Sequence, residues 1–296
     1  MRIIVTIVLL LVALGVFAQI EPVYQQYQFN QLLFNPAYAG LQERMSFSLN
    51  SRYQWAGLEG APMTNTLSGY TSVGQSAGFG AVLVDDRLGI RRNTDFTVSG
   101  AYFINYGVSR IGMGLQASIE NHRFNLDGLD PQVLNDPQLN FSAETNTKPN
   151  FGVGVMYKNP FGYIGLSIPK LLETFSEADG KTQFRTYYLS AGYVEQIPGP
   201  VNFKVSTLIR MTNKSIVADL SGALIIKEYL IGGLTLRNFN SLSVDASILV
   251  TDQLRFGYSY QLPSDKMMAS TTGTHEIMIA YDLARLLDQN IGKRFF

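Results

Sequence analysis

Ile111-Gly112-Met113-Gly114-Leu115-Gln116-Ala117-Ser118-Ile119-Glu120 is the stretch on which the fold turns. Every second residue is apolar, and the residues between are glycine, amide, hydroxyl or carboxylate. A period of two puts the two sets on opposite faces of an extended strand. The same alternation runs through Met45, Phe47, Leu49, Tyr53 and Trp55, with Ser46, Ser48, Asn50, Arg52 and Gln54 between them. It returns in Phe96–Ile104, Phe151–Tyr157, Ile216–Leu224, Leu242–Val250, Leu254–Tyr260 and Ile277–Leu283. The apolar rows carry almost no charge. The opposite rows hold Arg52, Glu120, Lys204, Arg210, Asp219, Asp245, Arg255, Glu276 and Asp282 among Ser, Gly, Thr and Asn. A soluble sandwich also alternates, but its outer rows are rich in Lys and Glu. Small hydroxyls with scattered charges suit a crowded lumen instead.

The composition agrees. Of 296 residues only 16% are charged, against about 25% in a typical soluble domain. Mean hydropathy is +0.06, too low for a bundle of membrane-spanning helices. Lys plus Arg and Asp plus Glu number 23 each, which argues against nucleic acid, whose binders need a basic excess. The absence of Cys excludes disulfides, thiol catalysis and Cys-ligated metals, and two His exclude a histidine-rich metal site.

Ile3 to Ala18 form an apolar run interrupted by Thr6 and Gly15 behind a single Arg2, with Val16 and Ala18 at the small-residue positions of a signal-peptidase site. A spanning helix needs about 20 apolar residues, so this run reads as a secretory signal cleaved after Ala18. No later run approaches that length. A chain of this pattern crosses a membrane only as a closed barrel. Candidate strands number fourteen, centred near residues 50, 69, 81, 99, 115, 154, 165, 189, 206, 221, 232, 246, 257 and 279. Short connections near 74–76, 106–109, 159–160, 197–200, 227–228 and 251–253 alternate with longer ones at 56–63, 85–93, 121–148, 169–182 and 263–274. Two further connections in the longer set, near 212–214 and 238–240, are short. Outer-membrane barrels place short turns in the periplasm and longer loops outside, and an even strand number returns both ends to the periplasm. The expected organisation is a signal at 1–18, a periplasmic or plug segment at 19–42 and a closed antiparallel transmembrane β-barrel at 43–296. A 3.6-residue apolar pattern occurs only weakly, in Leu283–Asn290.

Ahead of the first strand stand Gln25-Gln26-Tyr27-Gln28-Phe29-Asn30 and Leu33-Phe34-Asn35-Pro36-Ala37-Tyr38-Ala39-Gly40. This start resembles the PorP/SprF family of type IX secretion and gliding-motility membrane proteins, which carries a similar Asn-Pro-Ala-Tyr-Ala-Gly signature. Arg52-Tyr53-Gln54-Trp55 is similar to its first strand. Gly165-Leu166-Ser167-Ile168-Pro169, Thr274-His275-Glu276-Ile277 and the terminal Lys293-Arg294-Phe295-Phe296 resemble later motifs. The resemblance implies an outer-membrane barrel of a Bacteroidota-type bacterium that is not an enzyme and uses no cofactor. It implies as partners the outer-membrane lipid, a secreted surface protein of adhesin or gliding type, and periplasmic type IX components. The alternative is a transport channel for a hydrophobic or small solute.

The candidate site residues fall in two groups. Asn35, Pro36, Tyr38 and Gly40 form either a plug or a partner-docking segment. Pro fixes φ and keeps Asn35 out of the helical region, and Gly40 permits positive φ, so a structural turn with Tyr38 as wedge is the first reading. Arg52, Glu120, Arg210, Asp219, Asp245, Arg255 and Glu276 are the candidate lumen polar residues. His275 and Glu276 are neighbours in a strand and face opposite ways, which opposes a joint acid–base role. His122 has no sequence motif of nucleophilic catalysis around it. Asp85-Asp86 reads as a pair of solvated loop acids. Asp127, Gly128, Asp130 and Asp136 lack calcium-loop spacing. The loop that holds them is the largest candidate surface for an extracellular partner. Gly112-x-Gly114 and Gly152-x-Gly154 precede no helix, so they are strand glycines and not a nucleotide loop.

Overall fold

The alternating segments close into one sheet. The structure is a computed structural model, and it describes residues 24–124, 146–176, 181–213, 215–262 and 271–283. The strands are β1 (Met45–Tyr53), β2 (Met63–Val73), β3 (Ala77–Leu88), β4 (Arg91–Tyr106), β5 (Ser109–Phe124), β6 (Asn146–Lys158) and β7 (Gly162–Ile168). After two short strands, β8 (Thr174–Ser176) and β9 (Lys181–Gln183), come β10 (Tyr187–Glu195), β11 (Val201–Met211), β12 (Ile216–Ile226) and β13 (Leu230–Arg237). The last are β14 (Ser241–Leu249), β15 (Leu254–Gln261) and β16 (Thr274–Leu283). Fourteen of them form a closed antiparallel barrel in chain order, with β7 beside β10 and β16 back against β1. The β8–β9 hairpin forms a separate two-stranded sheet. Closure leaves no unpaired strand edge, the condition for a sheet in hydrocarbon.

Side chains follow the predicted period. β1 alternates exposed and buried over its whole length, and so does β14. Outward rows such as Leu67–Leu83–Phe96–Ile119 run from strand to strand in register and remain exposed. An uncovered apolar surface of this extent has lipid as its natural solvent. Along β4, Phe96 to Tyr106 is about 33 Å of strand, or about 25 Å of height at the usual tilt, which matches the apolar band of an outer-membrane barrel.

Several local expectations need correction. Residues 85–93 are not a long loop: β3 and β4 stay paired up to Leu88 and Arg91, leaving Gly89-Ile90 as the turn. Asp85 and Asp86 are therefore strand residues opposite Thr94 and Asn93, not loop acids. Asp86 accepts from Thr64 Oγ1 at 2.6 Å. The stretch 121–148 begins and ends as strand, and 169–182 contains most of the β8–β9 hairpin. Trp55 lies beyond the end of β1 with φ +53°, so it does not continue that row. The inward rows are also more apolar than expected. Phe103, Met156, Ile225, Ile231 and Met278 point inward and are buried. The segment 1–18, most of the Asp-containing loop, residues 284–290 and the terminal 293–296 motif lie outside the described residues.

Candidate functional site

The inward apolar residues have a partner, because the N-terminal segment runs through the barrel. Tyr27–Phe29, Gln31–Leu33 and Pro36–Tyr38 are three short 3-10 turns joined by bends. Proline at the first position of the third turn is preset for it, and Asn35 caps it through Oδ1, which accepts from Ala37 N at 3.0 Å. Short turns fold a segment lacking strand or helix periodicity into a rod narrow enough for the lumen. Tyr27, Gln31, Ala37 and Ala39 have no exposed surface.

Two chemistries hold this plug. Toward the end bearing the short turns, Leu32, Ala37, Tyr38, Ala39 and Leu41 pack with Tyr70, Val82, Phe103 and Met156. Tyr38 meets Tyr70 edge to face at 5.3 Å. Asn35 Nδ2 donates to the carbonyls of Val155 at 3.1 Å and Leu166 at 3.3 Å, and Ser167 Oγ donates to Phe34 O at 2.6 Å. Glycines clear the way. A Cβ at Gly114 would lie 2.2 Å from Ala37 N, at Gly154 2.1 Å from Asn35 Oδ1, and at Gly78 2.1 Å from Ala39 O. Gly40 itself has φ +81° and presses on Thr71 O and Gly78 Cα.

Other contacts of the plug are polar. Tyr24 Oη lies 2.8 Å from Thr66 Oγ1, and Tyr27 Oη donates to Ser221 at 3.2 Å. Asn30 Nδ2 donates to Ser48 and Ser68 at 3.0 and 2.8 Å, and Gln31 Nε2 to Tyr163 Oη at 2.5 Å. Net gains of about 1 kcal/mol per bond, summed over such a set, outweigh any single contact.

The candidate lumen charges are inward and buried, and they form separate groups. Glu276 takes the backbone N–H groups of Gln25 and Gln26 at 2.8 and 3.1 Å and pairs with Arg52 at 3.3 Å. Asp219 joins Arg210 at 3.1 Å and Arg237 at 2.6 Å. Asp245 accepts from Thr235 at 2.6 Å, and Arg255 donates to Ser247 at 3.2 Å. Lys204 and Arg255 lie over the Phe29 ring, 5.2 and 5.3 Å from its centroid. Glu120 pairs with Lys170 at 3.1 Å and faces His122 Nε2 at 3.8 Å, while His122 Nδ1 meets Asn93 at 2.7 Å. The described contacts of that ring are an amide and a carboxylate, with no hydroxyl to activate. His275 stands outside, against Tyr258 Oη at 2.7 Å. Sequence reasoning missed Arg237 and the plug amides Gln25, Gln26, Asn30 and Gln31. The uncharged amide run Gln25–Gln31 was the available signal, since amides supply both donors and acceptors to a hydroxyl-lined wall.

At the plug's other end, away from the short turns, a cavity of about 110 Å³ opens over Leu32, Leu33 and Phe34 and is rimmed by Asp86, Asp95 and Lys170. That volume is well below the roughly 300–1,000 Å³ of ordinary small-molecule sites. At the opposite mouth Arg110 ties Glu43 at 2.5 Å and donates to Leu41 O and Gln75 O, and Lys158 donates to Gln42.

No curated protein matches the chain significantly. Among solved structures, the outer membrane protein Omp33 of Acinetobacter baumannii is similar with a TM-score of 0.50 and 9% identity, covering 82% of this chain and 98% of that one. The toluene transporter TbuX of Ralstonia pickettii is 12% identical with a TM-score of 0.48, over 85% and 92% of the two chains. Outer membrane phospholipase A of Escherichia coli is 9% identical with a TM-score of 0.41, over 81% and 93%. At such identities Omp33 speaks for the barrel fold alone, and the other two carry no argument. The family described as type IX secretion system membrane protein PorP/SprF matches residues 16–281, so the chain belongs to that family and is an outer-membrane β-barrel.

Proposed function

We propose that this barrel is a non-enzymatic scaffold of type IX secretion, supporting the export or surface attachment of a secreted protein of adhesin or gliding type. The observation that supports a scaffold over a channel is the occupied lumen, in which Tyr27, Gln31, Ala37 and Ala39 are wholly enclosed. Asn35, Pro36, Tyr38 and Gly40 act as the plug's anchor, since their contacts are spent on β2, β3, β5, β6 and β7. A periplasmic type IX component then docks on the inner mouth, where Glu43 is exposed, and the secreted partner engages the outer loops. The mature chain begins at Gln19, after cleavage of 1–18, with 19–42 as plug and 43–296 as barrel. The lumen charges Arg52, Glu120, Arg210, Asp219, Asp245, Arg255 and Glu276 rigidify the scaffold by fixing wall to wall and wall to plug.

A tagged pull-down from gently solubilised outer membranes, with mass spectrometry of the recovered proteins, tests this reading. Recovery of a large secreted protein or type IX components is the expected result. Reproducible recovery of the intact barrel alone, together with large single-channel conductance in planar bilayers, would establish the transport alternative. N-terminal sequencing of the purified protein checks the cleavage at Ala18.

A further inference from the structure

Among the described barrel strands, the outward-facing arginines stand on one wall. Where β3, β4 and β5 rise past the apolar band, Arg87 pairs across the ladder with Arg92, and Arg92 with Arg123. All three lie in the outward set, on the same faces as Leu83, Phe96 and Ile119. Like charges directly opposite one another destabilise a sheet. One carboxylate is set among them: Asp85 accepts from Arg87 at 3.0 Å and from Arg92 Nε at 2.7 Å. Among the described residues, three guanidiniums against one carboxylate leave two positive charges on this face. The corresponding outward positions on other strands are uncharged, for example Met211, Ile216, Leu242 and Tyr260.

The direction of these side chains adds a second observation. Asp85 lies one outward row nearer the apolar band than Arg87 and Arg92, and Asn121 one row nearer than Arg123. Arg123 Nε donates to Asn121 Oδ1 at 2.9 Å. Each arginine thus leans back toward the membrane instead of out into solvent. The row of Asp85, Thr94 and Asn121 stands about 5 Å above the edge of the band, at the height of lipid headgroups. Arg87 and Arg92 keep about half of their side-chain surface exposed, 52% and 51%, so their remaining donors stay accessible. Guanidinium is the side chain that grips phosphate oxygens in a bidentate fork.

We propose that Arg87, Arg92 and Arg123 form a binding site on the barrel wall for the phosphate groups of an outer-leaflet lipid, a phosphorylated glycolipid whose acyl chains lie on the Leu83–Phe96–Ile119 row. The site depends on the orientation that places the short turns in the periplasm, and it does not depend on the secretion partner. Asp85 holds two of the forks open, and the lipid phosphate supplies the remaining counter-charge.

Native mass spectrometry of the full-length barrel in detergent tests this, with bisphosphorylated lipid A, dephosphorylated lipid A and inorganic phosphate as probes. The wild type should retain bisphosphorylated lipid A. Binding should weaken by about tenfold or more in R87Q/R92Q/R123Q. It should be preserved in a K227Q control at the opposite mouth and partly restored in R87K/R92K/R123K. Dephosphorylated lipid should bind weakly, and inorganic phosphate should not displace the lipid, which separates a lipid site from a free-anion site. Equal retention of the two lipids by the wild type overturns the proposal without reference to any variant, and assigns the cations to a protein partner. Undiminished binding in the folded triple variant overturns it equally.

Discussion

Replacing Gly114 by alanine adds one methyl group to the lumen wall and tests whether the N-terminal segment is a docked plug. The new Cβ would stand 2.2 Å from Ala37 N, 2.3 Å from Pro36 C and 2.6 Å from Ala37 Cα. All three are backbone atoms, so no rotamer change relieves the clash, and the segment must retreat by about 1 Å to reach ordinary contact. Asn35 then leaves hydrogen-bonding range of Val155 O and Leu166 O, which it holds at 3.1 and 3.3 Å. Overpacking contributes about 1–3 kcal/mol and the weakened bonds about 1 kcal/mol more. The sum, about 2–4 kcal/mol, shifts docked against undocked plug by a factor of about 30 to 1,000. Gly232 on the outer face is the control, since a Cβ there meets nothing within 4 Å. Hydrogen exchange of the amides between Tyr27 and Leu41, in detergent, should speed up by about that factor in G114A and stay unchanged in G232A. Equal protection in the two variants would refute the claim that Gly114 is shaped for the plug.

Three further outcomes are expected. Leu115→Arg, at an exposed mid-strand position on the outer face, should destabilise folding into lipid vesicles by about 2–4 kcal/mol, whereas Ser118→Thr on the inner face should change little; denaturant titration of both checks the face assignment. Asp219→Ala removes the buried carboxylate that pairs with Arg210 and Arg237 and should destabilise by about 3–5 kcal/mol, read in the same titration. Removing Glu276 as Glu276→Ala leaves the N–H groups of Gln25 and Gln26 without their acceptor, so exchange at those two amides should rise more than at Asn35.

Much of the barrel was legible because a strand with lipid on one side and a lumen on the other writes its two faces into alternate residues. The cores of β1 and β5, Met45–Tyr53 and Ile111–Glu120, were read from alternation alone, although the first row was carried too far, to Trp55, and the fifth strand was ended too soon, before Asn121. Strand ends were less legible. β3 and β4 continue past Asp85 and Asn93, with Asp85 accepting from both Arg87 and Arg92, so polarity there does not mean loop. The turns were located by the end of alternation instead of by turn residues. Lys227-Glu228 and Asn238-Phe239 both adopt positive φ without a glycine, inside three-residue connections closed by the pairs Ile226–Leu230 and Arg237–Ser241.

The plug was the hardest part to read, and its trace was left in the wall and not in itself. Gln25–Gly40 has no periodicity, because it is held by scattered contacts to at least six different strands. Its imprint is the set of inward glycines at 78, 112, 114, 154 and 257, each of which would drive a Cβ into plug atoms. Outward Gly100 and Gly232 face no such obstacle. A strand interior disfavours glycine, which weakens the ladder and packs nothing. Inward glycines on several neighbouring strands, opposed by apolar residues such as Phe103 and Met156 in a lumen otherwise rich in hydroxyls, therefore signal a second piece of backbone at close range. The Gly-x-Gly pairs at 112–114 and 152–154 carried that signal. Asking what approaches Gly112, Gly114 and Gly154 leads directly to Asn35, Pro36 and Ala37, whereas Gly152 makes room for Pro169 O.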